Sequence, residues 1–321
     1  MAVYAVTGGA GFIGSHLCDA LLEANHRVRV IDDFSTGSLD NLDPHCEILR
    51  GDICDLGLLR RAMDGAAGCF HLAAIASVAR GNEDWSGTHR VNQGGTVAVL
   101  EAARLAGRNS DRIGGIPVVY ASSAAVYGNA SGIATEADLP APQTAYGADK
   151  LGSEVHAQVG HHVHGVPSIG FRFFNVYGPR QDPNSPYSGV ISIFSRAIGS
   201  GLPLTVHGSG KQTRDFVFVR DVVSHLMMGM ELLQKADVSH VLNVCTGRET
   251  SLLDLIETLS TLTGRRTMVL PGPVRAGDIA RSVGSPAQSI ALLHVRAETP
   301  LLEGLRLTLE YLSSVPVMEQ A

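Results

Sequence analysis

The sequence predicts an α/β protein: a doubly wound parallel sheet followed by a smaller C-terminal α/β domain. Three observations predict it. Through the first half of the chain, short and continuously apolar runs alternate with segments of helical pattern. A glycine cluster at residues 8–14 stands between the first such run and the first helix. After Asn175 the alternation breaks into "VYGPRQDPNSPYSG", rich in proline, glycine and serine, and shorter elements follow.

In order, "VYAVTG", "RVRVID", "CEILRGD", "CFHLAA" and "IPVVYASS" read as strands, each followed by helical pattern. Strands covered on both faces look like uninterrupted apolar runs, and their parallel crossovers are right-handed helices. "VPSIGFRFFN" supplies a further strand, after a helix that carries "TAYGADK". Beyond the loop, helices are expected near 188–200, 221–234 and 251–263, with strands near 203–207 and 240–244. The expected division is a nucleotide-binding domain over 1–175, with a return near 214–246. The second domain takes 176–213 and 247–321.

Composition narrows the function. A chain of 321 residues holds one or two domains, and 45% hydrophobic residues supply ample core. A net charge of −6 argues against a nucleic-acid partner, which needs a basic face. The five cysteines, at 18, 46, 54, 69 and 245, form no CxxC and read as unpaired thiols of a reducing compartment. The first strand-like run begins at Val3, and no apolar run reaches the roughly 18 residues of a membrane span. A soluble, cytoplasmic protein with no membrane partner is expected. His156, His161, His162 and His164 cluster without thiolate or carboxylate support, so no metal is expected. Trp85, Met227, Met228 and Met230 read as packing residues.

Within "VTGGAGFIGSHL", Gly8, Gly11 and Gly14 fit GxxGxxG, and Gly9, Gly11 and Gly14 fit GxGxxG. Such glycines permit a tight turn, close approach of a pyrophosphate and tight helix–strand packing, while the helix N-terminus offers N–H groups to the anion. The second strand ends in Asp32 and Asp33, near the 20-residue offset of a dinucleotide (Rossmann) site. A carboxylate there accepts the ribose hydroxyls and repels a 2′-phosphate, favouring NAD over NADP. Asp52 and Ile53 end the third strand, where an adenine would lie.

Lysine occurs only at 150, 211 and 235, and Lys150 falls four residues after Tyr146. Residues i and i+4 share a helix face. An ammonium beside a phenol is expected to lower the phenol's pKa, making it a general base and, in reverse, an acid. "VVYASSAAVYG" brings Ser122 and Ser123 to the carboxyl end of the sheet, where ligands bind in such folds. A serine hydroxyl there can share the proton of the reacting oxygen. The Tyr–Lys pair alone permits oxidation, dehydration or epimerisation.

These motifs, with HLAA, the asparagine of "RVNQGGT", "RFFNVYGPRQ", "QTRDFVFVRDV" and "RAGDIARS", recur in order along essentially the whole chain. Together they resemble the extended short-chain dehydrogenase/reductases, and within them the nucleotide-sugar epimerases. The resemblance implies that the C4 hydride of a UDP-sugar passes to tightly held NAD while Tyr146 removes the C4 hydroxyl proton. Ser123 matches the catalytic serine, and Lys150 holds the nicotinamide ribose. The 4-keto sugar turns over and the hydride returns to its opposite face. For the cofactor site the resemblance implies Gly8, Gly11, Phe12, Ile13, Gly14, Asp32, Asp33, Ser35, Thr36, Gly37, Asp52, Ile53, Leu72, Ala73, Ala74 and Asn92, with Tyr146 and Lys150. It also implies a homodimer, packed through helices near 90–106 and 144–164.

Dehydratases and decarboxylases of this group carry acidic residues after the serine position, whereas this chain has Ala124 and Ala125, which transfer no protons. For the substrate, the resemblance implies Ser77, Ser123, Asn175, Gln181, Gly189, Val190, Thr205, His207, Arg214, Arg275, Asp278 and Ser282. Arg214 and Arg275 match the diphosphate arginines, and Asp278 the uridine ribose carboxylate. His207 stands where an aromatic ring often stacks on uracil. Ser282 occupies a gatekeeper position that is bulky in enzymes restricted to UDP-glucose and UDP-galactose. A small residue there admits a 2-acetamido group, so UDP-GlcNAc/UDP-GalNAc is the expected pair, with UDP-Glc/UDP-Gal as a further one. Glucuronate 4-epimerases tend to have threonine where Asn175 stands. An epimerase restricted to UDP-Glc/UDP-Gal or acting on UDP-glucuronate is the alternative, and a non-catalytic NAD-binding scaffold and a net sugar-nucleotide dehydrogenase are the rival readings.

Overall fold

The alternation of apolar runs and helices becomes layers in the computed structural model, which describes residues 1–108, 114–130, 132–182, 189–273 and 279–314. The first half contains β1 (Val3–Thr7), α1 (Phe12–Glu23), β2 (Arg27–Asp32), β3 (Glu47–Arg50), α2 (Leu56–Met63) and β4 (Gly68–His71). Then come α3 (Val78–Glu83), α4 (Trp85–His89), a π-helical turn (Arg90–Gly94), α5 (Gly95–Arg108), β5 (Val118–Ser123), α6 (Ala145–His164) and β6 (Ser168–Phe173). The chain continues with β7 (Asn175–Tyr177), α7 (Val190–Gly199), β8 (Leu204–His207), β9 (Thr213–Arg214), β10 (Phe216–Phe218) and α8 (Val219–Lys235). It closes with β11 (Ser239–Val244), β12 (Thr250–Ser251), α9 (Leu252–Thr263), β13 (Val269–Gly272), β14 (Arg281–Ser282), α10 (Ala287–Leu293) and α11 (Leu301–Ser314).

Among the described residues the main sheet is parallel, in the order β11-β6-β5-β4-β1-β2-β3. Successive side chains of a strand point to opposite faces, and both faces are covered. Val6, Val30, Phe70 and Phe171 pack with Leu17 and Leu21 of α1 and with Val222, Leu226 and Met230 of α8. Ala5, Ile31, Cys69 and Val118 pack with Leu59 and Met63 of α2, Val99 and Ala103 of α5 and Ala157 of α6. Double coverage explains why all of β4 and β6 is buried and why these strands show no polar alternation.

A separate cluster joins Tyr177, Phe194, Ile198, Leu204, Phe216, Leu255 and Leu305. Short strands surround it: β7 pairs β10, β8 pairs β13, and β9 lies between β12 and β14. The expected elements beyond Asn175 all form, the five as α7, β8, α8, β11 and α9. The two- and three-residue strands gave no periodic signal.

Met230 is core and Met227 and Met228 pack against it, but Trp85 is 71% exposed at the start of α4, so its expected packing role is wrong. No helix among the described residues is long and apolar enough to cross a membrane. The cysteines are free thiols.

Candidate active site

The strand order reverses at β1 and β4, and a crevice opens at the carboxyl ends of strands at such a point. Here it is a cleft of about 620 Å³. Gly8 turns the chain with φ +69°, a left-handed conformation, and a Cβ on it would lie 2.6 Å from the Ala73 nitrogen. A Cβ on Gly14 would collide with the Gly8 carbonyl. Gly11 precedes α1 with no side-chain cap and no acidic residue in the first turn, leaving the helix end free for an anion. This backbone cradle fits a dinucleotide pyrophosphate.

Asp32 ends β2 and is buried. Its Oδ2 accepts the Ala10 N–H at 3.0 Å and its Oδ1 the Phe34 N–H at 2.9 Å. Burial raises its pKa above the ordinary value, against those two bonds. Asp33 is exposed and accepts from Ser35 N–H and Oγ at 2.9 and 2.6 Å. Asp52 accepts from Arg90 Nη1 at 2.9 Å; burial opposes its ionisation, but the Cys54 N–H and Arg90 hold its pKa down. Gly8, Gly11, Phe12, Ile13, Gly14, Asp32, Asp33, Ser35, Thr36, Asp52, Ile53, Leu72, Ala73 and Ala74 all line the cleft.

Two expected cofactor residues are not in the wall. Gly37 packs behind it, where a Cβ would lie 2.8 Å from Ala10 Cβ. Asn92 sits in the π-helical turn and clamps the backbone of Ile75, accepting its N–H at 2.8 Å and donating to its carbonyl at 3.2 Å. It shapes the Ala74–Ala76 wall from behind.

At the end of β5 the two serines part. Ser122 is buried and donates to Glu154 Oε1 at 2.5 Å. Ser123 faces the cleft beside Tyr146, its Oγ accepting the Ala125 N–H at 3.1 Å. Thr144 caps α6 by accepting the Gly147 N–H at 3.0 Å, which fixes the turn that presents Tyr146. Lys150 Nζ stands 5.7 Å from the Tyr146 ring centroid and donates to the Ala121 carbonyl at 2.8 Å.

The expected depression of the Tyr146 pKa by Lys150 is not found. Burial holds the phenol above its ordinary value, with only the Ser123 side chain working against it. Lys150 is itself lowered to about 8 by burial, against the pull of Asp149 and Glu154. Desolvation, a tertiary effect, outweighs the i,i+4 pairing. His71 ends β4, its ring bonded to Thr7 Oγ1 (2.8 Å) and Thr96 Oγ1 (3.1 Å), and burial brings its pKa to about 3.

Of the expected substrate residues, Asn175, Gln181, Gly189 and Val190 line the same cleft. Gln181 Oε1 accepts from Ser192 Oγ at 2.7 Å, and its Nε2 donates to the Val176 carbonyl at 3.3 Å. Ser77, Thr205, His207, Arg214 and Ser282 do not line it. Ser77 caps α3, accepting the Arg80 N–H. Thr205 and His207 lie on β8, where His207 Nδ1 bonds the Pro273 carbonyl. Arg214 and Ser282 are register partners across β9 and β14, and Arg214 Nη1 donates to the Ile279 carbonyl at 2.6 Å. Arg275 and Asp278 lie outside the described residues. Sequence reasoning missed Arg80, Asp84, Gly87 and Arg90, which line the wall from α3, α4 and the π-helical turn, and Phe173, Tyr177 and Phe216. The acid–glycine–base pattern of 84–90 was the available signal. Among the described residues no three His, Cys, Asp or Glu converge on a metal position. His161 bonds Asp237 and His162 bonds the Gln158 carbonyl.

The NAD dependent epimerase/dehydratase family matches residues 4–245, which span every strand of the main sheet. The chain belongs to this family. Members similar to it include the UDP-glucose 4-epimerase of Mycolicibacterium smegmatis, 36% identical over 95% of this chain and 97% of that protein. A solved structure of the UDP-N-acetylglucosamine 4-epimerase from Methanobrevibacter ruminantium, in complex with UDP-N-acetylmuramic acid, superposes with a TM-score of 0.90. It is 30% identical and covers 98% of each chain. The Thermus thermophilus UDP-glucose 4-epimerase, in complex with NAD, gives 0.87 at 32% identity, covering 98% of this chain and 100% of that one. As an NAD-dependent member of the epimerase/dehydratase family, the protein is an enzyme.

Proposed function

We propose that the protein is an NAD-dependent UDP-hexose 4-epimerase acting on UDP-GlcNAc and UDP-GalNAc, and on UDP-Glc and UDP-Gal as well. One observation carries the reaction type: Ser123, Tyr146 and Lys150 meet at the cleft, and the residues after Ser123 are alanines. Gly8, Gly11 and Gly14 hold the pyrophosphate, Asp32 and Asp33 the adenosine ribose, and Lys150 the nicotinamide ribose. Bound NAD supplies a hydride acceptor that gives the hydride back.

Tyr146 takes the C4 hydroxyl proton in the first half-reaction and returns it in the second. Ser123, which lines the cleft with Tyr146, offers that proton a further partner. Burial disfavours the charged forms of both the phenol and the lysine, so the protonation of each bears on the other. The 4-keto sugar then presents its opposite face. Elimination would need an acid/base pair beside Ser123, and Ala124 and Ala125 hold none.

The sugar assignment rests on volume. Ser282, which stands outside the cleft wall as the register partner of Arg214, is small, and Gln181 is held by Ser192 and the Val176 carbonyl at the wall. The similarity to a UDP-N-acetylglucosamine 4-epimerase supports it. Restriction to UDP-Glc and UDP-Gal is the second reading, favoured by the Mycolicibacterium relative's name. Chromatographic or NMR assay of the four UDP-sugars on one preparation tests both; turnover of UDP-Gal without UDP-GalNAc selects the second. NADH accumulating with added NAD and substrate would identify a net dehydrogenase instead. The two-unit division at Asn175, with the return at 214–246, is part of the same proposal. So is a homodimer through α5 and α6, where Val155, Val159 and Val163 form an exposed stripe at four-residue spacing.

A further inference from the structure

We infer that Glu154 is a positioning residue, which holds Tyr146 on α6 and Ser123 on β5 in register. The inference rests on the assignment of Ser123 and Tyr146 to proton transfer given above.

Tyr146, Lys150 and Glu154 recur at four-residue intervals and so lie along one face of α6. Lys150 Nζ bonds the Ala121 carbonyl at 2.8 Å, and Glu154 Oε1 accepts from Ser122 Oγ at 2.5 Å. Two consecutive residues of β5 are thereby fastened to two consecutive turns of α6. Ser123 is the next residue of the strand, and Tyr146 is the next turn of the helix. Loosening either fastening changes the separation of the two hydroxyls.

Glu154 is itself oriented by a planar fork. Arg172 of β6 donates from Nε to Oε1 at 2.9 Å and from Nη2 to Oε2 at 2.7 Å. The guanidinium lies 4.7 Å from the Tyr127 ring centroid, and the Tyr127 hydroxyl donates to Asn243 Oδ1 at 2.7 Å. Helix α6, strands β5, β6 and β11 and the turn after β5 are therefore joined through one carboxylate. Glu154 and Arg172 are 3% and 4% exposed. A buried pair pays heavily for desolvation and is often replaceable by apolar residues without loss of stability. Geometry is what this one contributes.

The carboxylate also acts on Lys150 through space. The groups that face Lys150 are Tyr146, Asp149 and Glu154 of its own helix, His71 of β4 and, behind Glu154, Arg172 of β6. His71 stays neutral, and the two carboxylates are what offset burial to keep the lysine near 8. Removing one of them lowers the lysine further.

Two variants test this. Ser122→Ala cuts only the strand fastening and leaves the ion pair; kcat is expected to fall about tenfold with KM for the UDP-sugar within about twofold. Wild-type kcat, or a loss carried by KM alone, overturns the register role. Glu154→Gln keeps the shape and removes the charge. With three lysines in the chain, 13C-lysine NMR resolves Lys150, assigned with Lys150→Met. Its titration midpoint is expected to move down in Glu154→Gln and to stay in Ser122→Ala. An unmoved midpoint in folded Glu154→Gln overturns the electrostatic role without reference to activity. Should Glu154→Gln fail to fold, Ser122→Ala still decides the register. Tyr146→Phe is the control: retained turnover there refutes the proposed reaction, whereas its loss beside a fully active Ser122→Ala refutes only this inference.

Discussion

At the cofactor end of the cleft the wall is largely main chain: the Gly8 turn, the open N-terminus of α1, and Asp32 holding Ala10 and Phe34 by their N–H groups. At the end proposed for the sugar the wall is side chains such as Asn175, Tyr177, Gln181 and Phe216, with Gln181 propped by Ser192. The first surface has one solution, because its shape is set by φ and by the absence of Cβ atoms. The second can be changed one side chain at a time. A family that keeps one cofactor and varies its sugars needs this asymmetry.

The largest expected effect lies on the boundary between the halves. Tyr146→Phe should lower kcat by roughly 10³-fold or more, while its melting temperature stays near that of the wild type. An active Phe variant would remove the chemical link between the two ends. At the cofactor end, Gly14→Ala forces a Cβ onto the Gly8 carbonyl and should cost about 1–3 kcal/mol in stability. Gly11→Ala meets only that carbonyl, at 3.3 Å, so it should fold normally and yet lose NAD affinity. If both behave alike in thermal melts and NAD titrations, the main-chain account of that wall fails.

The Lys150 site sharpens the contrast through pH. Its folded value of about 8 lies below its usual 10.5, so between these two values the unfolded chain binds the extra proton. This group's contribution to stability therefore rises with pH across that window and is a cost at pH 7. Lys150→Met should gain roughly 2 kcal/mol at pH 7, a gain that shrinks toward pH 10, while turnover falls about a hundredfold. Melting curves and kcat across pH 7–10 check both. The smallest effect belongs to the sugar end: Ser282→Tyr should reduce UDP-GalNAc turnover about tenfold relative to UDP-Gal. Equal loss on both sugars would show that the position does not read C2.

Features fixed by local spacing were legible in the sequence. The glycine cradle, the Asp32–Asp33 strand end and the Tyr146–Lys150 spacing each follow from a motif of a few residues, and Ser123 from its place at the end of a strand. What escaped depends on tertiary surroundings. The sign of the Tyr146 shift is decided by burial, which adjacency to Lys150 does not report. Asn92 sits buried in a π-helical turn and bonds Ile75, 17 residues upstream, a contact that no local spacing reports. Ser122 and Ser123 are adjacent letters with opposite destinations, and the partner that separates them, Glu154, is 32 residues downstream. Trp85 looked like core by composition and proved to be surface.

The outermost strand, β11, lies beside β6 although a long stretch of chain separates them, and its Asn243 receives the Tyr127 hydroxyl. A ribosome adds roughly 5–20 residues per second, so α6 emerges many seconds before the strand that completes its sheet. The edge of β6 that β11 later pairs is therefore without its neighbour until late in synthesis, and the sheet is completed last on that side.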